Sequence, residues 1–432
     1  MNLELVTVLV LALIFVLATA RSVNLGVLAL VAAFGVGAAA GLSTDEVFAG
    51  FPVDLFVALT GLTFLFGFAQ RNGTIDLLLR AGLRLVRGRV ALAPWIFFAL
   101  TGALMSVGAI FAIAVVAPLA VPFARRYRID QLMMGMMVVH GGMAGAFSPL
   151  SVYGLFVNSF LAGDDLGGSR LGLFLASFVF NTAIALVVFL TMGGRFLLGR
   201  TEDLAGAPAS EAEAPGQTSG QASAQTSAQT SAQTSGIDLY QGVTLLGLAV
   251  MAVGTAAFGL DIGVLSLSAA AVLALMRPDD ARVCLANVSW STVVLVGGVL
   301  TYIAVLEAAG TVEWASGGIA ALGVPLVAAL LLCYLAGIVS ALASSIGTIG
   351  VALAIAAPML ESGELGAVGF VAALSISATV VDVSPFSTNG ALVLANVDAE
   401  HRDDFYRRML VYAGLVVGLA PLAAWTFSLL PV

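Results

Sequence analysis

Charge is missing from this chain in long blocks, and that pattern decides what it can fold into. Uncharged apolar runs recur from end to end, beginning with residues 5–20, and residues 90–124 and 314–360 carry no charge at all. A helix needs about 20 apolar residues to cross the hydrocarbon of a bilayer. Lipid offers the backbone no hydrogen bonds, so a spanning segment is a helix or part of a closed barrel, and these runs lack the alternation of barrel strands. Composition agrees: 60% of the 432 residues are hydrophobic, 10% are charged and the mean hydropathy is +1.07, against roughly a quarter charged in soluble domains. The sequence predicts an all-α integral membrane protein.

Other classes fall away on the same evidence. A net charge of −8 argues against a nucleic-acid partner, and the acidic residues read as solvated loop charge. Cys284, read in a short polar loop, and Cys333, in an apolar run, have neither metal nor disulfide spacing. No basic segment precedes residues 5–20 and Arg21 follows them, so this run reads as a retained span rather than a cleaved leader.

Residues 201–236 break the pattern with Ser-Ala-Gln-Thr repeats, Pro and Gly, and almost nothing to bury. They read as a disordered linker between a first repeat, 1–200, and a second, 237–432. The halves align at a near-constant offset. Asn24-Leu25-Gly26-Val27-Leu28 falls on Asp261-Ile262-Gly263-Val264-Leu265, and Gly73-Thr74-Ile75 on Gly310-Thr311-Val312. Ala117-Pro118 falls on Ala357-Pro358, and Ser148-Pro149-Leu150-Ser151-Val152-Tyr153-Gly154 on Ser384-Pro385-Phe386-Ser387-Thr388-Asn389-Gly390. Apolar spans resemble one another by chance; matched breakers do so far less.

Each half opens with three simple spans, near 5–20, 23–41 and 53–70, then 240–258, 262–276 and 289–306. The run 90–124 is too long for one helix and tight for two crossings, and arginines close both its ends: Arg89, then Arg125, Arg126 and Arg128. It reads as a re-entrant hairpin with its tip near Ser106-Val107-Gly108-Ala109. Its counterpart, 314–360, has its tip at Ser344-Ser345-Ile346-Gly347-Thr348. Next come 129–162 and 365–397, each interrupted by a Ser-Pro segment. Proline removes a backbone donor and disfavours helix in the residue before it, so these read as broken helices. An ordinary span, 171–192 or 409–430, completes each half.

Orientation rests on seventeen arginines, since the chain has no lysine. With the N-terminus outside and five crossings plus a hairpin per half, every arginine but Arg170 faces the cytoplasm, as the positive-inside rule asks. Both termini are then external and the linker cytoplasmic. Five is odd, so the repeats are inverted, the ground plan of many secondary transporters, whose sites lie between discontinuous helices near the midplane.

Three stretches carry a family likeness: Phe51-Pro52-Val53-Asp54-Leu55-Phe56 on to Gln70-Arg71-Asn72-Gly73-Thr74-Ile75-Asp76, then Leu85-Val86-Arg87-Gly88-Arg89-Val90-Ala91-Leu92, and His140-Gly141-Gly142 through Phe147-Ser148-Pro149-Leu150-Ser151-Val152-Tyr153-Gly154. They resemble the bacterial malonate/dicarboxylate carriers of MatC type, within the ion-transporter superfamily that includes divalent-anion/sodium symporters. The likeness covers most of the first half; the second matches in architecture and in its Ser-Pro break. It implies an elevator-type carrier of the bacterial inner membrane, a homodimer in which hairpins and broken helices enclose a small dicarboxylate. Sodium-coupled relatives carry Ser-Asn-Thr at both hairpin tips; this chain has Ser106-Val107-Gly108 and Ser345-Ile346-Gly347-Thr348.

With every arginine read as a loop residue, a dianion needs another partner. Half-helix N-termini offer free N–H groups and about half a positive charge each. The candidate substrate residues are Ser148, Pro149, Ser151, Ser384, Pro385, Ser387, Thr388 and Asn389 at the breaks, with Ser106, Gly108, Ser344, Ser345 and Thr348 at the tips. The bland alternative is that these hydroxyls satisfy backbone freed by proline. Two ionisable residues lie inside apolar runs, His140 and Asp382, and such residues usually face a cavity or a partner. Both are candidates for ion coupling, to Na+ or H+, with no other cofactor or metal expected. Two rival functions use the same residues. A sodium/proton antiporter would bind its cations at Asp382, and an intramembrane hydrolase would pair His140 as base with Ser148 as nucleophile.

Overall fold

The computed structural model describes residues 3–21, 23–75, 77, 78, 81, 88–163, 170–201, 238–311, 314, 325–341, 345–361 and 366–428. The linker 201–236 therefore lies outside the described residues except for Thr201, as do Ser344 and residues 315–324 near the start of the second hairpin. The described chain is helical, as the uncharged runs predict.

The first half comprises α1 (Leu3–Arg21), α2 (Leu25–Ala39), α3 (Thr44–Ala49), α4 (Val53–Arg71), α5 (Ala93–Ser106), α6 (Ala112–Arg126), α7 (Gln131–Gly145), α8 (Val152–Gly163) and α9 (Arg170–Thr191). The second comprises α10 (Leu239–Phe258), α11 (Ile262–Met276), α12 (Pro278–Ala286), α13 (Trp290–Ala308), α14 (Pro325–Ser340), α15 (Ser345–Glu361), α16 (Ala367–Val380), α17 (Thr388–Ala395) and α18 (Arg402–Ser428). Among the described residues, α4, α9, α13 and α18 are long and apolar enough to cross a membrane.

Helix ends fix the directions. Arg71, closing α4, pairs with Asp280 of α12 at 2.5 Å, and α12 follows directly on α11. Asn24, which caps α2, donates to the carbonyl of Ser291 in the first turn of α13 at 2.8 Å, and residues 287–289 alone separate α13 from α12. One side of the bundle thus collects the start of α2, the end of α4, the end of α11 and the start of α13. The counterparts α2 and α11 run in opposite directions, as do α4 and α13, so the repeats are inverted.

They also exchange partners: α2 packs along α13 and α4 along α11. Glycine permits both crossings. A Cβ on Gly26 would lie 2.1 Å from the Val294 carbonyl oxygen, and one on Gly298 2.0 Å from that of Gly26. At the symmetry-related crossing a Cβ on Gly61 would lie 2.4 Å from Ser266 Oγ, and one on Gly263 2.8 Å from the Ala58 nitrogen. Gly26 and Gly263 are repeat counterparts, as are Gly61 and Gly298.

α5 and α6 form a hairpin whose feet share one side. Val90 N–H donates to the Arg200 carbonyl at 3.2 Å, and Arg200 Nη2 to the Tyr127 carbonyl at 3.1 Å. With 14 residues in α5, an arm is about 21 Å long at 1.5 Å per residue, short of the roughly 30 Å hydrocarbon core. Its turn carries Gly108 at φ +103°, which favours glycine. The hairpin lies along α7 through close contacts at Gly102, Gly141 and Gly145.

Three sequence readings change. Arg71, Arg125 and Arg126 sit in the last turns of α4 and α6 rather than in loops, where positive charge complements the helix dipole. Arg402, Arg407 and Arg408 lie at the start of α18, which begins well before residue 409 because Asp403 and Asp404 stabilise its first turn. Arg408 pairs with Asp130 at 2.7 Å and Arg125 with Asp398 at 2.5 Å, each joining one repeat to the other. Cys284 lies on α12, not in a loop, packed against Gly67. Burial pushes its thiol pKa up to about 11, so it is unreactive at neutral pH.

Candidate functional site

Both Ser-Pro segments fold the same way. Pro149 has no N–H to donate, and α7 ends at Gly145 before it. Ser151 restarts the helix: its Oγ accepts from Gly154 N–H at 2.9 Å and donates to the Ser148 carbonyl at 2.7 Å, with the Ala146 carbonyl also in contact. In the second half Ser387 caps α17, accepting from Gly390 N–H at 3.3 Å and donating to the Ser384 carbonyl at 2.7 Å. A Cβ on Gly154 would lie 1.9 Å from the Ser148 carbonyl oxygen, and one on Gly390 1.9 Å from that of Ser384. The structural motif is therefore longer than Ser-Pro-x-Ser; it is Ser-Pro-x-Ser-x-x-Gly. The two terminal glycines are residues that sequence reasoning missed, although the repeat alignment contains them.

The bland reading holds for the two capping serines, whose hydroxyls serve backbone. Ser148 and Ser384 differ from each other. Ser148 Oγ accepts from Leu150 N–H at 3.3 Å, and its own proton has no acceptor among the described residues. Ser384 Oγ accepts from Phe386 and Ser387 N–H at 3.2 and 3.1 Å and donates to the Ala341 carbonyl at 2.6 Å. Pro149 and Pro385 occupy the turns. Thr388 is exposed, while its neighbour Asn389 is buried.

Each hairpin tip meets the break of its own half. A Cβ on Gly108 would lie 3.2 Å from the Leu150 carbonyl oxygen, and Ser106 Oγ is 2.7 Å from the place of a Cβ on Gly145. In the second half Ser340 Oγ donates to Ser345 Oγ at 2.9 Å, and Ser345 Oγ to Asp382 Oδ2 at 3.4 Å. Thr348 is buried one turn further along α15.

Asp382 is 3% exposed and its carboxylate faces the start of α17. Asn389 supplies Nδ2 to Oδ2 at 2.7 Å and its backbone N–H to Oδ1 at 3.3 Å. Among the described residues no arginine or histidine forms an ion pair with it. The two breaks lie close together: Tyr153, at the start of α8, is within electrostatic reach of Asp382, and Phe156 of α8 packs against Gly350 of α15.

His140 belongs to a different cluster. Asn181 Nδ2 donates to the Ser177 carbonyl at 3.0 Å, so Asn181 Oδ1, 3.0 Å from His140 Nδ1, is an acceptor and the imidazole proton is on Nδ1. His140 Nε2 then accepts from the Tyr412 hydroxyl at 2.5 Å. Both nitrogens of this fully buried ring are engaged, so His140 is not free to serve Ser148 as a general base. The cluster ties α7 and α9 of one repeat to α18 of the other. Tyr412 and Asn181 are residues that no sequence pattern marks. A cleft of about 350 Å³ lined by Leu132, Met192, Arg407, Arg408, Val411, Tyr412 and Leu415 opens beside this cluster, at the arginine-rich end and away from the breaks.

None of the curated proteins compared matches the chain. Residues 1–146 match the family described as dicarboxylate carrier protein MatC N-terminus. The matched stretch runs from α1 through the first hairpin and α7, including His140 and the glycines that seat the hairpin, and stops at Ala146 in the first break. Over these residues, about a third of the chain, the protein is similar to the MatC-type dicarboxylate carriers, a family of transporters rather than enzymes.

Proposed function

We propose that this protein imports a small dicarboxylate, malonate or a C4 acid, across the bacterial inner membrane in symport with a cation, H+ or Na+. The observation that carries the reading is the pair of capped helix restarts, α8 and α17, one from each inverted repeat, beside a buried carboxylate in a chain whose first third matches a dicarboxylate carrier. The first N–H groups of a helix have no intrahelical acceptors, and they favour anions. The hairpins, the broken helices, α9 and α18 form the moving body of an elevator. The glycine-crossed helices α2, α4, α11 and α13 belong to the scaffold, and a homodimer holds the scaffold still.

The direct test is uptake by proteoliposomes with a competition panel of C3 to C6 dicarboxylates, varying sodium and pH separately. Ser148→Ala is expected to weaken affinity by about 1.5–3 kcal/mol, the cost of a hydrogen bond to a charged group, or roughly ten- to a hundredfold. Ser384→Ala should weaken it as well, through the hairpin contact at Ala341. Ser266→Ala, at the α4–α11 crossing, should leave affinity unchanged. Acetate, with one carboxylate, should compete far less well than malonate. Strong competition by acetate, or indifference to both break serines, places the anion elsewhere.

Buried Asp382 favours one second reading, a sodium/proton antiporter. Labelled malonate entering vesicles rules for the carrier; sodium-driven proton efflux without any organic anion rules for the antiporter.

Orientation has its own test. With both termini outside, a Ser223→Cys protein in intact cells should resist an impermeant thiol reagent and react with it in inverted vesicles. Labelling from outside reverses the assignment.

A further inference from the structure

The two half-sites are related by the repeat yet differ in charge. Position for position, Asp382 of the second break corresponds to Ala146 of the first, and Asn389 to Tyr153. Asp382 fills the start of α17, where it accepts from the Asn389 N–H, from Asn389 Nδ2 and from Ser345 Oγ. At α8 no side-chain carboxylate among the described residues takes that place. The first N–H groups of α8, at Val152 and Tyr153, have no intrahelical acceptors, and Ser148 retains a hydroxyl proton to give.

We propose that Asp382 stands in for one carboxylate of the substrate. It occupies the donors of α17 while the site is empty, takes up one proton when a dianion enters, and yields those donors to the incoming carboxylate. The inference rests on the carrier reading and specifies how its second half-site works. The other end of the dianion is received at α8 by the Ser148 hydroxyl and the N–H groups of Val152 and Tyr153.

The donor set supports an exchange of anions rather than a resident cation. Asn389 holds Asp382 through two N–H donors, which repel a metal ion and suit a carboxylate, with the hydroxyls of Ser345 and Ser387 beside them. Two carboxylates cannot share them while both are charged. A buried carboxylate without a cationic partner is also costly, so it accepts a proton readily once its hydrogen bonds are withdrawn. The step balances: a proton from water on the open side joins a carboxylate oxygen of Asp382, the Asn389 and Ser345 donors transfer to the substrate, and the site gains one negative charge rather than two.

Among the described residues the surroundings hold no other group to absorb that charge. From α8 comes the phenol of Tyr153, from α14 and α15 the hydroxyls of Ser340 and Ser345, and from α17 the amide of Asn389. On the remaining helices packed against α16, His140 of α7 and Tyr412 of α18 are bonded to each other. Tyr334 of α14 donates to the Gly418 carbonyl. Cys333 lies on α14, buried.

Malonate titrated calorimetrically into the purified full-length protein, in buffers of different ionisation enthalpy, counts the protons. Uptake of one proton per malonate is expected near pH 7.5, with affinity falling about tenfold per pH unit above neutrality, the slope of one linked proton. Asp382→Asn should bind malonate with no proton uptake and no pH slope. Asn389→Ala should bind about tenfold more weakly yet keep the one-proton linkage. Wild-type binding without proton uptake, above all if sodium-dependent, overturns the proposal and leaves the carrier reading intact. This wild-type measurement decides the matter even where the Asp382 variant fails to fold. Unaltered proton uptake in Asp382→Asn also overturns it. Absence of any dicarboxylate binding or uptake overturns the carrier reading and the proposal with it.

Discussion

Gly154→Ala and Gly390→Ala are each expected to abolish uptake while leaving the protein in the membrane. The added methyl would sit 1.9 Å from the carbonyl oxygen of Ser148 or Ser384. The obstacle is backbone, so no side-chain rotation relieves it. Overpacking of side chains costs typically 1–3 kcal/mol, and a clash with the main chain of a capped turn belongs at or above the top of that range. The strain falls on the restart of α8 or α17, displacing Ser151 or Ser387 from its cap and turning the helix N-terminus away from the break. The α2–α13 and α4–α11 crossings are untouched, so the protein should still be made and purified. Gly414→Ala, on α18 with open space around the position, is the control and should transport normally. Wild-type uptake by both break variants would show that the restarts bend without consequence and do not shape the site.

The break glycines also show what the sequence made legible. Long uncharged runs reveal helices because lipid leaves the backbone no alternative, and proline reveals interruptions because it cannot donate. Those two effects are local. Contacts between distant segments leave no such mark: nothing at Tyr153 announces that it lies near Asp382, and Tyr412 looks like any aromatic residue in a terminal span until it meets His140. The glycines of α2, α4, α11 and α13 are intermediate. Their repeat correspondence is visible in the alignment, but the exchange of partners that requires them, Gly26 with Gly298 and Gly61 with Gly263, exists only in three dimensions. The helix-end arginines read as loop residues for a simpler reason: composition separates polar from apolar, and a charged helix end looks like a loop.

Those crossings set the second large effect, of a different kind. Gly26→Val and Gly298→Val are expected to remove folded protein rather than lower its affinity. At 2.1 and 2.0 Å from the backbone of the facing helix, a side chain at either position must push α2 and α13 apart along their length. In a bilayer that loss is not made up elsewhere, because helices associate there through close packing of small residues rather than by hydrophobic burial. Both repeats feel it, since α2 belongs to the first and α13 to the second. A monodisperse peak on size exclusion in detergent should be lost, and whatever fraction remains folded should bind malonate normally, because the breaks are built from other helices. Gly35→Val, on the same α2 but facing open space, should be purified like the wild type. If Gly26→Val were recovered folded and failed only in transport, α2 would have to move with the substrate, and the division between a fixed scaffold and a moving body would fall in a different place.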